Sequence, residues 1–126
     1  MKLHSTVTPG LLAITAYDAS HIAVNGRPLK RSFLLTPRRL IEDWQPESFE
    51  SMTAADMDAI AALECPIVLL GTGLRQRFPS SELLRPLIER RIGVEVMDSH
   101  AACRTYNILM AEGRDVAAAL IVECTR

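Results

Sequence analysis

The sequence has no apolar run long enough to cross a membrane. A transmembrane helix needs about 20 consecutive, mostly apolar residues, and the apolar stretches here, such as 116–122, are far shorter. Residues 1–6 lack the hydrophobic core of a signal peptide and the arginine-rich pattern of a mitochondrial presequence. We therefore expect a cytoplasmic protein without a transmembrane segment.

Cysteine and histidine are scarce and scattered. The three cysteines, Cys65, Cys103 and Cys124, lie far apart, and the sequence contains no Cys-x-x-Cys pair. This pattern argues against a disulfide framework and against a zinc site, and it is typical of a reducing compartment. The three histidines are equally separated, so we expect neither a metal site nor a cofactor.

Neither sign of charge dominates. Lys and Arg number 14 and Asp and Glu 15, which gives a formal net charge of -1. A protein built mainly to neutralise nucleic-acid phosphates carries a positive excess, so we expect no nucleic-acid partner. The basic residues are nevertheless clustered, which allows local basic patches. The clusters are Arg27, Lys30 and Arg31; Arg38 and Arg39; and Arg75, Arg77, Arg85, Arg90 and Arg91.

The composition is otherwise that of an ordinary globular domain. Apolar residues make up 48% and charged residues 23% of the 126 positions. A chain of this length can enclose its own hydrophobic core. Because no linker, repeat or low-complexity segment interrupts the chain, we predict one domain over residues 1–126.

The first third of the chain predicts β-structure. Apolar stretches at 11–17 and 21–24 are separated by a short turn. Asn25-Gly26 then favours a hairpin, because both central residues of the preferred turn have positive φ. The sequence predicts the returning strand at 31–36. Trp44, in an irregular segment that follows, is expected to anchor that segment over the sheet; a ligand platform is the alternative.

A continuous apolar stretch at 66–70 ends in Gly71-Thr72-Gly73. Such a stretch predicts a strand buried on both faces, which we place at the centre of a sheet. A helix capped by Ser80 or Ser81 and a strand at 94–97 follow, and this order predicts a right-handed parallel crossover.

Two further helices and a last strand complete the prediction. Thr53 and Asp56 have the spacing of a capping box, and Asp98 or Ser99 caps a third helix. A strand at 116–122 follows. The predicted fold class is α/β with an N-terminal β-hairpin. The third helix is expected to face the sheet with Ala101, Ala102, Thr105, Ile108 and Leu109.

The Gly71-Thr72-Gly73 turn has two interpretations. With Asp98 ending the next strand, it resembles a dinucleotide-binding fingerprint. Gln76, however, stands where the third glycine belongs, and Arg77 and Pro79 delay the helix whose start a pyrophosphate needs. We therefore favour a tight turn, with nucleotide binding as the weaker interpretation.

A second group of polar residues lies on one face of the third helix. His100, Cys103, Arg104 and Asn107 have helical spacing. A helix N-terminus lowers a thiol pKa, so one hypothesis is an activated Cys103 thiol beside His100, with Arg104 holding an anion. The favoured alternative is a buried structural cysteine.

Arg75 and Arg77 follow the carboxyl end of a parallel strand, and Arg104 is expected near the same edge. Loops at this edge of α/β sheets bind ligands disproportionately often. A small anion, a nucleotide or an acidic protein surface is therefore predicted to dock there. The alternative is an exposed polar loop.

Several segments together resemble a known family. They are VNG (24–26), LLGTG (69–73), RQRF (75–78), GVEVMDS (93–99), AACRTYNIL (101–109), EGR (112–114) and VAAAL (116–120). On these segments the sequence is identified as a member of the domain-of-unknown-function 498 family, with the Mth938-like fold. The mitochondrial relatives are the third assembly factor of respiratory complex I, NADH:ubiquinone oxidoreductase. The resemblance implies a compact three-layer α/β domain with a mixed central sheet and an added β-hairpin layer.

The resemblance also implies a binding role. The eukaryotic relatives work in complex I assembly with another assembly factor and associate peripherally with the inner membrane, and no catalytic residue carries over. Ser99-His100 stands where threonine followed by glycine or another residue is commoner in the family. This departure weakens the thiol–imidazole hypothesis.

These observations favour a non-enzymatic interaction module, an assembly factor for complex I or another membrane complex, with protein partners at the membrane periphery. The alternative is a small-anion or nucleotide-binding protein, or an enzyme, that uses Arg75, Arg77, Arg104 and Cys103. No catalytic residue is assigned. The predicted binding edge comprises Gly71, Thr72, Gly73, Arg75, Arg77, Asp98, Cys103, Arg104, Tyr106 and Asn107.

Overall fold

Within residues 10–123, which the computed structural model describes, the chain forms two β-sheets and three α-helices. The strands are β1 (Ile14–Tyr17), β2 (Ile22–Val24), β3 (Arg27–Leu29), β4 (Phe33–Leu35), β5 (Leu40–Ile41), β6 (Ile67–Gly71), β7 (Gly93–Met97) and β8 (Val116–Leu120). The helices are α1 (Ala54–Ala61), α2 (Ser81–Glu89) and α3 (Ser99–Ala111), with a 3-10 turn at Phe49–Ser51. No helix among these residues has the length and apolar character that crossing a bilayer requires.

A mixed five-stranded sheet, in the order β5-β4-β8-β6-β7, forms the middle layer. Helices α1 and α2 pack on one face, against side chains that include Val68 and Ala119. Helix α3 and the three-stranded sheet β1-β2-β3 pack on the other face, against side chains that include Leu69 and Ala118. The α/β fold, with its mixed sheet, is confirmed.

Strand β6 is parallel to both of its neighbours, β7 and β8, while β4 is antiparallel to β8. Because β7 and β8 lie on opposite sides of β6, right-handed connections place α2 and α3 on opposite faces of the sheet. The predicted parallel crossover is therefore present. The strand in the middle of the sheet is β8, not β6 as expected.

The N-terminal hairpin differs from the prediction in its second strand. Asn25 and Gly26 have φ of 48° and 86°, as the hairpin turn requires, and Val24 then pairs directly with Arg27 of β3. The segment expected to return, 31–36, instead contributes β4 to the central sheet. Proline usually argues against a strand, and Pro28 lies within β3. It is tolerated there because β3 is an edge strand of its sheet.

Trp44 anchors the segment between β5 and α1. Its side chain is buried, and its indole nitrogen donates to the Asp56 carbonyl oxygen over 3.1 Å. The Asp56 carboxylate in turn accepts from the Thr53 amide at 2.8 Å, which completes the capping box of α1. The anchor interpretation of Trp44 therefore agrees with its position.

Helix α3 is rotated relative to the expected orientation. Its buried side chains include Ala102, Cys103, Tyr106 and Met110, whereas Ile108, which was expected to face the sheet, is 60% exposed. Hydropathy alone misplaced this face: the Tyr106 ring is buried, and its hydroxyl donates to the Leu12 carbonyl oxygen in the segment that precedes β1.

Candidate functional site

The carboxyl end of β6 leads into the loop 72–79, beside the carboxyl end of β7, and Thr72 holds the backbone of this loop. The Thr72 hydroxyl is buried; it donates to the Arg75 carbonyl oxygen at 2.7 Å and accepts from the Arg77 amide at 3.1 Å. The Thr72 amide donates to the Met97 carbonyl oxygen at 2.9 Å. One buried side chain therefore fixes the first turn of the loop against β7.

Side chains of the loop tie its outer part to neighbouring elements. Gln76 donates from Nε2 to the Val96 carbonyl oxygen of β7, an edge strand of the central sheet, over 3.1 Å. The Arg77 guanidinium donates to both carboxylate oxygens of Glu50, at 2.6 Å for Oε2, and lies 5.7 Å from the centre of the Phe49 ring. The hydrogen bond from Arg77 lowers the pKa of Glu50, so that pair is ionic at neutral pH.

The same restrained loop exposes two large apolar side chains. Leu74 is 45% exposed and Phe78 is 80% exposed. Covering an exposed apolar side chain with a partner lowers the free energy of the system. A loop that is already ordered loses little entropy on binding. We call Leu74 and Phe78, with the exposed Arg75 between them, the apolar loop edge.

The crevice beside the two glycines is closed. The Ser99 hydroxyl accepts from the Gly73 amide at 2.8 Å and donates to the Ile121 carbonyl oxygen at 2.7 Å. The space left between these elements is about 10 Å³, about what a single water molecule requires. A β-carbon on Gly71 would lie 2.8 Å from the Ser99 Cα. Gly71 therefore permits close packing of α3 on β6, and the crevice has no room for a pyrophosphate.

Asp98 caps α3. Its Oδ1 accepts from the Ala101 amide at 2.8 Å, which satisfies a donor that the helix itself leaves unpaired. With this carboxylate on the helix N-terminus, and with the Ser99 amide donating to the Gly73 carbonyl oxygen, the start of α3 is not an open anion site.

The thiol–imidazole pair is not supported. Cys103 is buried, and burial raises its pKa to about 12, so it is a neutral thiol at physiological pH. His100 instead stacks on the Tyr17 ring, with 4.2 Å between ring centres, and donates from Nε2 to the Asp18 carbonyl oxygen over 3.0 Å. Arg104 donates to the Tyr17 hydroxyl at 2.6 Å.

Tyr106 and Asn107 connect α3 to the small sheet. The Tyr106 hydroxyl donates to the Leu12 carbonyl oxygen at 2.7 Å, and the Asn107 amide pairs with the backbone of Ile14. Burial raises the pKa of Tyr106, so its hydroxyl keeps its proton. Both residues therefore hold α3 against the chain around the start of β1.

The structure divides the ten predicted edge residues into two sets. Gly71, Thr72, Gly73 and Asp98 meet where β6, β7 and α3 converge, and Arg75 and Arg77 lie on the adjoining loop. The remaining four lie along α3. Clefts of about 280 to 440 Å³ occur elsewhere on the described surface, and those clefts are not lined by Arg75, Arg77 or Arg104.

Sequence reasoning did not assign Leu74, Phe78, Glu50 or Ser99 to this region. The available signal for Leu74 and Phe78 was that two large apolar residues interrupt an otherwise polar loop. In the part of the chain that the structure describes, every buried side-chain nitrogen and oxygen has a hydrogen-bond partner. No group of three or more His, Cys, Asp or Glu residues there is placed to hold a metal.

Comparison with known proteins identifies the family. The model of a family described as "Protein of unknown function (DUF498/DUF598)" matches residues 14–121. The Bos taurus protein named NADH dehydrogenase (ubiquinone) 1 alpha subcomplex assembly factor 3 is 34% identical over 116 residues, which cover 90% of this chain and 62% of that protein. The chain thus spans about three-fifths of the length of this relative.

Solved structures show the same fold. The crystal structure of a Bordetella parapertussis protein matches with a TM-score of 0.85 and 37% identity, covering 93% of this chain and 100% of that one. The solution structure of a Bordetella pertussis protein, described as a Mth938-like domain, matches with a TM-score of 0.82 and 33% identity, covering 98% of this chain and 93% of that one. The chain therefore belongs to the DUF498/DUF598 family and has the Mth938-like fold.

Proposed function

We propose that the protein is a non-enzymatic interaction module that acts as an assembly factor for respiratory complex I or another membrane complex. The observation that carries the proposal is the apolar loop edge, where Phe78 is 80% exposed on a loop held by hydrogen bonds from Thr72 and Gln76. The name of the bovine relative, an NADH dehydrogenase assembly factor, supports the same role.

The chemistry of the edge favours a protein as the partner. Aromatic residues and arginine are enriched at the centre of protein interfaces, and here Phe78 and Leu74 flank Arg75 on one loop. Phe78 alone offers on the order of 150–250 Å² for burial. The near-neutral net charge of -1 does not favour nucleic acid. We place this interaction in the cytoplasm, at the periphery of the membrane that holds the complex.

A photo-crosslinking experiment in the native host tests the proposal. A photoreactive phenylalanine analogue replaces Phe78 in one strain and Ile108, an exposed residue on α3, in a second. Crosslinked proteins are then identified by mass spectrometry. We expect position 78 to capture subunits or assembly factors of a membrane complex, and position 108 to capture none of them. Capture of the same proteins from both positions, or of no specific protein from position 78, would contradict the proposal.

A pair of variants separates binding from folding. Phe78→Ser removes the exposed ring, and Ile88→Ser removes another exposed apolar side chain, on α2, where Ile88 is 54% exposed. Both should keep the wild-type melting temperature, since neither side chain contributes to the core. Only Phe78→Ser should lower the amount of assembled complex in a deletion strain. Equal assembly in both strains would exclude Phe78 from the interface.

A further inference from the structure

A second cleft lies at the opposite end of the central sheet from the apolar loop edge, where β6 and β8 begin. It encloses about 340 Å³, within the range of about 300–1,000 Å³ that ligand pockets occupy. Leu11, Leu63 and Met110 contribute apolar walls, and Cys65 also lines the cleft. Burial raises the pKa of the Cys65 thiol to about 12, so the cleft presents no thiolate at neutral pH.

Three arginines surround this cleft, and none of them has an ion-pair partner among residues 10–123. Arg38, Arg39 and Arg114 line it and are exposed. Among residues 10–123 none of the three forms a salt bridge, whereas Arg27 and Arg77 each pair with a glutamate. Guanidinium groups placed together without counter-charges repel each other, and an anion between them removes that repulsion. We refer to this feature as the basic cleft.

The charge balance of the basic cleft remains positive. Asp115 is the acidic residue that lines it, and it offsets one of the three guanidinium charges. The carboxyl ends of α1 and α3 lie nearby and each carries a partial charge of about -0.5. Their last turns are satisfied by backbone donors, such as the Arg114 amide on the Leu109 carbonyl oxygen. The excess that remains favours an anionic ligand over a cationic one.

The backbone positions of the arginines are fixed in advance. The Thr36 amide donates to the Arg39 carbonyl oxygen at 2.8 Å, and the Thr36 hydroxyl accepts from the amides of Arg38 and Arg39 at 3.3 and 3.0 Å. Arg114 follows Gly113, whose φ of 79° ends α3. A ligand therefore orders side chains only, which limits the entropy lost on binding.

We propose that the basic cleft binds an amphipathic organic anion. Its carboxylate or phosphate group accepts hydrogen bonds from Arg38, Arg39 and Arg114, which present the planar donors that such groups recognise. Its apolar part lies against Leu11, Leu63 and Met110. This site is at the far end of the sheet from Phe78, so the proposal does not rest on the assembly-factor role.

Titration of the isotope-labelled full chain, followed by amide and arginine side-chain NMR shifts, tests the site. The probes are octyl phosphate, octanoate, inorganic phosphate and octanol. We expect at least one of the two amphipathic anions to give saturable shifts at Arg39, Gly113 and Arg114, and the stronger of the two identifies the preferred head group. Its affinity should exceed that of inorganic phosphate by about tenfold or more, since burial of two methylene groups suffices for that factor. Octanol should cause no saturable shift. Equal affinity for inorganic phosphate and both amphiphiles, or shifts spread over the whole surface, would overturn the proposal.

A double variant with a matched control distinguishes the site from general basic charge. Arg39→Gln with Arg114→Gln should weaken binding of the better amphiphile at least tenfold, while Arg85→Gln with Arg90→Gln, which removes two exposed arginines on or beside α2, should leave it unchanged. Equal binding by both double variants would overturn the proposal. If the first double variant does not fold, Arg38→Gln alone, on a turn fixed by backbone bonds, is measured in its place against the same criterion. The crosslinking at Phe78 is unaffected by either result, so the two proposals fail separately.

Discussion

The side-chain amide of Asn107 pairs with Ile14 as a neighbouring strand would. Its Oδ1 accepts from the Ile14 amide at 2.9 Å, and its Nδ2 donates to the Ile14 carbonyl oxygen at 2.8 Å. Ile14 begins β1, which ends the three-stranded sheet. One side chain of α3 therefore satisfies both backbone groups of Ile14, a residue of the edge strand β1 that lies opposite Val24 of β2.

Replacing this amide should destabilise the fold. Asn107→Ala removes the side-chain partners of the amide and carbonyl of Ile14, a buried residue, and we expect a loss of about 1–3 kcal/mol in the free energy of unfolding. Urea denaturation measures the loss. Gln45→Ala is the control, because Gln45 is exposed and its side-chain amide bonds locally, to the Asp43 carbonyl oxygen. A loss no larger for Asn107→Ala than for this control would show that water replaces the amide.

Gly71 and Gly93 should respond differently to the same substitution. The β-carbon of Gly71→Ala would lie 2.8 Å from the Ser99 Cα, whereas that of Gly93→Ala would lie 3.5 Å from the Pro66 carbonyl oxygen, an ordinary contact. We expect Gly71→Ala to cost about 1–3 kcal/mol by overpacking and Gly93→Ala to change stability by less than about 0.5 kcal/mol. Thermal unfolding of both variants tests this difference, and similar melting temperatures would contradict it.

Thr72→Val should loosen the loop 72–79 without changing the packing around the buried side chain at position 72. Valine fills the same space but cannot accept from the Arg77 amide or donate to the Arg75 carbonyl oxygen. We expect the Arg77 amide to exchange its hydrogen with solvent at least about tenfold faster, which corresponds to about 1.4 kcal/mol of lost protection. Thr105→Val on α3 is the control, since the Thr105 hydroxyl forms no hydrogen bond with the described residues. Unchanged exchange at Arg77 would assign its protection to other contacts.

The buried thiols should make the protein sensitive to alkali. Burial raises the pKa of Cys65 and of Cys103 from 9.0 to about 12, so the folded state keeps protons that the unfolded chain releases. Their contribution to stability is complete below pH 9 and is lost as the pH rises from 9 towards 12. Denaturation at a series of pH values measures this loss, which should be smaller in Cys103→Val. An equal slope in that variant would rule out Cys103 as a source.

The same burial should block alkylation. At pH 8 iodoacetamide should leave Cys65 and Cys103 unmodified in the folded protein and modify both in urea, because the thiolate is the reactive form and burial keeps both thiols protonated. Peptide mass spectrometry distinguishes the positions. Rapid alkylation of Cys103 in the folded state would restore the activated-thiol hypothesis.

Local signals in the sequence predicted much of the fold. Thr53 with Asp56, and Asp98, mark helix starts through side chains that bond to backbone only a few residues away. The order of the strands was less accessible, because it depends on contacts distant in sequence. The sequences of the alanine-rich β8 and of the more hydrophobic β6 both predict buried strands. The pairing of β4 with β8 is what places β8 in the middle of the sheet.

The candidate region shows the same division. Loop 72–79 was found because it follows a buried strand and contains two arginines. The partners of the predicted site arginines were not predictable, because they are distant in sequence. Arg77 of the loop pairs with Glu50 of the 3-10 turn, and Arg104 of α3 donates to Tyr17 of the small sheet. Asn107 illustrates why, since a polar residue in mid-helix gives no indication of whether a ligand or a backbone segment will satisfy it.

The hydrogen bond from Gln76 to Val96 occupies a backbone acceptor on the edge strand β7 that a second copy of the chain could otherwise pair with. Met97 bonds to Thr72 and Gly93 to Pro66 on the β6 side, so the Val96 carbonyl oxygen points out of the sheet. A strand from another copy of the chain would have to displace Gln76 before it could extend the sheet. The loop that displays Phe78 thus also covers part of the edge strand β7. It opposes the addition of a strand from another copy of the chain at that edge.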